Sequence, residues 1–101
     1  MQNLVILGAS GSIGQSTLKV LRHNPGRWQV LALTAARSVD AMLRDCLEFS
    51  PRFAVMVDEG AASDLAGRLK AHGSTTWVVS GQAALCDVAA HPEAHSVMAA
   101  I

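Results

Sequence analysis

The sequence predicts an α/β fold built on a parallel sheet, and three observations carry that prediction. Short apolar runs bounded by turn residues recur along the chain, longer segments of helical period separate them, and the first run ends in a glycine-rich turn that opens a helix. Leu4-Val5-Ile6-Leu7 is a continuous apolar run stopped by Gly8, as expected of a strand buried on both faces. Ile13, Leu18, Val20 and Leu21 then lead into Arg22-His23-Asn24-Pro25-Gly26, where a basic last turn and a breaker close a helix over Ser12–His23. Trp28–Thr34, with Val30 to Leu33 all apolar, reads as a second buried strand. Val39, Met42, Leu43, Cys46 and Leu47 fall at helical spacing within Val39–Phe49, and Ser50-Pro51 ends that helix.

Phe53–Val57 is a third strand, after which Asp58-Glu59 complement the positive end of a helix over Ala61–His72, with Gly73 at its C-terminal cap. Thr75–Val79 predicts a shorter, more exposed strand, and Ser80 is placed to cap a helix running up to His91-Pro92. Ser96–Ile101 starts a fifth strand. Because that strand ends the sequence without a turn or polar tail, the chain reads as a piece of something longer. Strands alternating with single helices imply right-handed crossovers within one parallel sheet.

Composition narrows the function classes. The 101 residues are 50% apolar and 16% charged, which describes one globular unit and excludes a disordered chain. Eight Lys and Arg balance eight Asp and Glu, so no net field gathers nucleic acid or an anionic membrane. The absence of Tyr and an aromatic content of 4% argue against stacking platforms for single strands. The apolar run near the start is too short for a membrane span or a signal peptide, so a cytoplasmic location is expected. Cys46 and Cys86 lie in predicted helices without C-x-x-C spacing and are expected to be buried, reduced thiols.

Gly8-Ala9-Ser10-Gly11-Ser12-Ile13-Gly14 joins the first strand to the first helix, the setting that gives such a motif physical meaning. Gly8 allows a sharp turn, Gly11 lets a phosphate approach the backbone, and Gly14 lets the helix pack close to the strand. The N–H groups around Ser12 and Ile13 would face a pyrophosphate with help from the helix dipole, and the Ser10 and Ser12 hydroxyls add donors. The spacing is G-x-x-G-x-x-G without Gly-Lys-Ser/Thr, which points to a dinucleotide and away from a triphosphate P-loop; a purely structural turn is the alternative. This places the fold in the Rossmann-like, doubly wound class, truncated after the start of the fifth strand. At the end of the second strand the chain reads Thr34-Ala35-Ala36-Arg37-Ser38, with no carboxylate until Asp40. Arg37 and Ser38 suit a 2′-phosphate and hence NADP, the alternative being a solvated Arg37 and a helix-capping Ser38.

The remaining constellations are weaker. His91-Pro92-Glu93-Ala94-His95 reads as a loop, because the proline breaks the helical face that paired metal-binding histidines need. His23 and His72 suit the last turns of helices, and Trp28 and Trp77 are expected to pack. No Ser-His-Asp or Cys-His arrangement has a supporting context.

Leu4–Gly14 together with Ser16-Thr17-Leu18, His23-Asn24-Pro25, Arg37-Ser38-Val39, Ser50-Pro51-Arg52-Phe53-Ala54-Val55, Ser80-Gly81 and Val97–Ile101 resembles the 1-deoxy-D-xylulose 5-phosphate reductoisomerases over essentially the whole chain. The resemblance implies an enzyme of the non-mevalonate isoprenoid pathway that rearranges 1-deoxy-D-xylulose 5-phosphate and reduces the product with NADPH to 2-C-methyl-D-erythritol 4-phosphate. It implies a homodimer of chains about four times this length, each with an NADPH-binding, a catalytic and a C-terminal helical domain. Residues 1–101 correspond to the first part of the NADPH-binding domain. A divalent cation (Mg²⁺, Mn²⁺ or Co²⁺) chelates the substrate in that family, with its ligands and the catalytic residues beyond Ile101, so that the piece alone should not catalyse. The cofactor-binding positions carried over are Ser10, Gly11, Ser12, Ile13, Ala36, Arg37 and Ser38. The family often has Thr at the first of these and Gly-Lys/Arg-Asn at the last three, so Ala36 narrows the freedom of that loop and Ser38 shortens a side chain facing the 2′-phosphate. Two further readings share the glycine spacing: a non-catalytic dinucleotide-binding module, and the cofactor domain of another NADP-dependent dehydrogenase.

Overall fold

A computed structural model describes residues 2–99. Five strands and four helices alternate: β1 (Gln2–Leu7), α1 (Ser12–Arg22), β2 (Trp28–Ala35), α2 (Val39–Phe49), β3 (Phe53–Met56), α3 (Glu59–Ala71), β4 (Trp77–Ser80), α4 (Gln82–Ala89) and β5 (Ser96–Ala99). The expected continuation of β5 through Ala100 and Ile101 lies outside the described residues. Every strand pair is parallel, in the order β4-β3-β2-β1-β5, so the first strand is internal and the chain crosses over it to reach the fifth.

Helices cover both faces of the central strands, which is why Leu4–Leu7 of β1 and Val30–Leu33 of β2 are apolar runs. Leu4, Ile6, Val30, Leu33 and Met56 pack beneath Leu18 of α1, Met42 and Cys46 of α2, and Leu65 and Leu69 of α3. Val5, Leu31, Ala32 and Val55 face the other way, toward Val88 and Leu85 of α4. The register explains how neighbouring Leu31 and Ala32 share a face. Leu4 pairs with Val30 but Val5 with Ala32, leaving Leu31 as the extra residue of a bulge.

The helix ends obey local chemistry. The Asp58 side chain accepts the Ala61 N–H at 2.8 Å and so caps α3, two residues earlier than the apolar pattern indicates. Ser50 adopts φ 48° and halts α2 before Pro51, while Gly73, at φ 74°, follows α3. His23 and His72 occupy the C-cap positions of α1 and α3.

Three expectations are corrected. Ser80 does not cap α4: it pairs with Met56 as the last residue of β4, and Gly81, at φ 97°, takes the N-cap position without a side-chain hydrogen bond. Trp77 is not a packing residue, being 69% exposed at the sheet edge, whereas Trp28 does pack against the core. Cys86 is exposed because the short α4 directs Val88 and Leu85 inward and leaves Cys86 outside; Cys46 is buried as expected, and both are free thiols.

Burial first, and then the neighbouring Asp45 carboxylate, push the Cys46 thiol up to about 12. An unfolded chain ionises this thiol near pH 8.5 or so, so the stability gained by keeping it protonated is intact below that pH and is lost as pH rises toward the folded value. A thiol reagent at neutral pH is therefore expected to modify Cys86 alone, with Cys46 reacting only on unfolding, and urea midpoints should fall more steeply above pH 9 or so than in Cys46→Ala. Equal labelling of both thiols in the folded chain would contradict the packing.

Candidate functional site: the glycine turn and the end of the second strand

The order of strands reverses between β1 and β5, and ligands of open α/β sheets bind outside the carboxyl ends of the strands at that point. The glycine turn leaves β1 there. Gly8 adopts φ 78°, a left-handed conformation that a side chain would strain. A Cβ at Gly14 would lie 2.5 Å from the Gly8 carbonyl oxygen and 2.7 Å from the Ala9 Cα, so only glycine allows α1 to start this close to the strand exit. Gly11 differs: it is exposed, and its φ of −77° suits any residue. With no side chain at this exposed position, the backbone of the turn is accessible from outside.

The first turn of α1 is left electrically open. Gly11, its N-cap, offers no side chain to bond the N–H groups of Ser12, Ile13 and Gly14, which have no intrahelical acceptor, and no acidic residue stands in that turn. The helix therefore presents donors and a positive dipole end to solvent, an arrangement suited to an anion. Ser12 and Ile13 also line an open groove of about 320 Å³ with Thr17, Val20 and Met98.

The second candidate segment lies alongside. The Ala9 N–H donates to the Thr34 carbonyl at 2.8 Å and the Gly8 N–H to Thr34 Oγ1 at 3.0 Å, which fixes the exit of β1 to that of β2. Asp58 N–H donates to the Ala36 carbonyl at 3.0 Å and ties the same loop to the end of β3. Ala36, Arg37 and Ser38 are all exposed. Ser38 sits at the N-cap of α2, but its side chain forms no capping bond, so the alternative of a capping side chain falls away and the hydroxyl is uncommitted. Arg22, Arg44, Arg52 and Arg68 each pair with carboxylates, whereas Arg37 joins no ion pair among the described residues. The structure thus brings Ser10–Ile13 and Ala36–Ser38 to one edge of the sheet.

Thr34, which ties the glycine turn to the end of β2, is a supporting residue that sequence reasoning missed. It is fully buried, and its signal is a hydroxyl terminating the run Val30-Leu31-Ala32-Leu33. The His91–His95 segment forms a loop in which His95 Nδ1 accepts the Asn3 N–H at 2.7 Å. Among the described residues no group of three or more His, Cys, Asp or Glu side chains is placed to hold a metal ion. An apolar hollow of about 280 Å³ lined by Phe53, Trp77 and His91 lies at the opposite, amino-terminal end of the strands and is remote from the turn.

Fold and turn together define a Rossmann-like, doubly wound domain with its crevice beside the glycine turn. The family described as 1-deoxy-D-xylulose 5-phosphate reductoisomerase matches residues 4–101. The chain belongs to that family. Over 101 residues it is 87% identical to the 1-deoxy-D-xylulose 5-phosphate reductoisomerase of Aeromonas salmonicida and 86% identical to that of Aeromonas hydrophila, spanning 25% of the length of each. A solved DOX-P reductoisomerase in complex with NADPH, fosmidomycin and magnesium superposes with a TM-score of 0.95 at 36% identity, over 100% of this chain and 24% of that one. The enzyme from Zymomonas mobilis in complex with NADPH gives 0.91 at 37% identity, over 99% and 26%.

The close approach at Gly14 yields a prediction whose sign opposes helix propensity. Alanine favours a helix interior by about 1 kcal/mol over glycine, yet Gly14→Ala is expected to destabilise the chain by about 3 kcal/mol because its methyl group meets backbone. A urea midpoint that is unchanged or raised would refute the packing.

Proposed function

We propose that residues 1–101 form the first part of the NADPH-binding domain of a 1-deoxy-D-xylulose 5-phosphate reductoisomerase. The observation that carries this reading is the pairing of an uncapped, acid-free first turn of α1 with the uncommitted Arg37 and Ser38 at the adjacent strand end. Ser10, Gly11, Ser12 and Ile13 receive the pyrophosphate through backbone N–H groups and hydroxyls, and Ala36, Arg37 and Ser38 receive the 2′-phosphate. Arg37 supplies the charge that separates NADPH from NADH, and its planar fork suits a phosphate. Ser38 contributes a hydroxyl, and Ala36 brings its backbone close. When bound, NADPH supplies a hydride.

The whole protein would isomerise and reduce 1-deoxy-D-xylulose 5-phosphate to 2-C-methyl-D-erythritol 4-phosphate, with a divalent cation holding the substrate. The span of a quarter of its relatives' length supports assigning the catalytic and C-terminal domains, the metal ligands and the homodimer contacts to sequence outside these residues. A cytoplasmic enzyme acting on a phosphosugar, without nucleic acid or membrane as partner, fits the balanced charge; no described helix is long and apolar enough to cross a membrane.

Titration with NADPH and NADH, followed by nucleotide fluorescence and thermal shift, tests the reading. NADPH is expected to stabilise the chain preferentially. Arg37→Asp should reduce the preference for NADPH about ten- to a hundredfold, as loss of a charge-assisted contact predicts; an unchanged preference would remove Arg37 from the 2′-phosphate site. Gly11→Val should abolish binding by excluding the pyrophosphate, and retained affinity would show that the turn does not cradle it.

A further inference from the structure

Asp45 is a carboxylate with no exposed surface, placed on the apolar stripe of α2 between Met42 and Cys46. A buried charge is retained only where it is hydrogen-bonded, and its partners here are specific. Gln15 of α1 donates from Nε2 to Asp45 Oδ2 at 2.8 Å, and Arg44 Nε approaches Oδ1 at 3.3 Å with Arg22 Nη2 at 4.0 Å.

The Gln15 amide is fully used. Its Nε2 also donates to the Ala9 carbonyl at 2.9 Å, and its Oε1 accepts from Arg44 Nη2 at 2.9 Å. The Asp45 carboxylate and the Ala9 carbonyl only accept, while Arg44 only donates, so one amide orientation satisfies all three. Asp45 thus aims Gln15 at the backbone of the glycine turn.

The consequence reaches the turn's outer surface. In a trans peptide the carbonyl of one residue and the N–H of the next point in opposite directions. Holding the Ala9 oxygen inward directs the Ser10 N–H outward, and that N–H has no backbone acceptor among the described residues. Ala9 is also held through its own N–H by Thr34, so its peptide groups are fixed on both sides.

We propose that Asp45, acting through Gln15, is a positioning residue that sets the Ala9–Ser10 peptide so that the Ser10 N–H faces the dinucleotide phosphates. The proposal rests on the NADPH reading above for its ligand, but the turn's rigidity is measurable without one. Gln15→Met keeps the length of the side chain and removes the amide. It should weaken NADPH binding about five- to tenfold, the worth of roughly one hydrogen bond, and lower the backbone order parameters of Ser10 and Gly11 in ¹⁵N relaxation.

The double variant Gln15→Glu with Asp45→Asn separates positioning from support. The amide introduced on α2 can donate to the carboxylate introduced on α1 and keep the two helices joined, but a carboxylate cannot donate to the Ala9 carbonyl. Thermal stability should recover relative to Gln15→Met, while NADPH affinity and the Ser10 order parameter stay low. Recovery of binding and order together with stability, or a Gln15→Met chain with unaltered affinity and an ordered turn, would overturn the proposal. If the unsubstituted chain fails to bind NADPH, the cofactor reading fails by itself, and the order parameters still decide whether Asp45 and Gln15 set the turn.

Discussion

Backbone can lie against backbone only where no Cβ intervenes, and at Gly14 the first helix comes within a methyl group's width of the strand exit it leaves. That contact sets where α1 begins and how closely it crosses the sheet. With α1 fixed, Leu18 lies over the core and the N-terminal turn of the helix stands at the carboxyl edge of β1. The open donors of Ser12 and Ile13 owe their place to the same contact. A larger residue at position 14 would push the helix away and separate the two halves of the crevice.

A second layer of constraint holds the turn from below. Thr34 engages Gly8 and Ala9, and Gln15 engages the Ala9 carbonyl, so a segment of small residues with little side-chain packing of its own is fixed by polar contacts. Such contacts suit a binding loop: they constrain the backbone from the protein side and leave the ligand side free. The Arg22–Glu48 pair, which joins α1 and α2 further out, is exposed and adds little to stability.

Much of this was legible in the sequence because it is local. Helix α2 matches its predicted bounds because the stripe from Val39 to Phe49 and the stop at Ser50-Pro51 lie within one short segment. The glycine turn was equally legible at Gly8 and Gly14, which act on their own neighbours. Ser80 misled because strand pairing with Met56 outranks a capping preference, and Trp77 because its strand lies at an edge that sequence alone does not identify. Thr34 and Asp45 escaped notice for one reason: their partners are 26 and 30 residues away, and a lone polar residue in an apolar stripe carries no record of what it meets.

The strand order also imposes a schedule on folding. β1 is internal, yet its second neighbour is the fifth strand, the last among the described residues, and Asn3 bonds to His95 across 92 residues. Pairing of β1 with β2, β2 with β3 and β3 with β4 requires only short loop closures, each available as soon as the next strand has been synthesised. The remaining edge of β1 must wait until Ser96–Ala99 emerges. During that interval the strand that carries the glycine turn is an open edge, available to wrong partners on the ribosome.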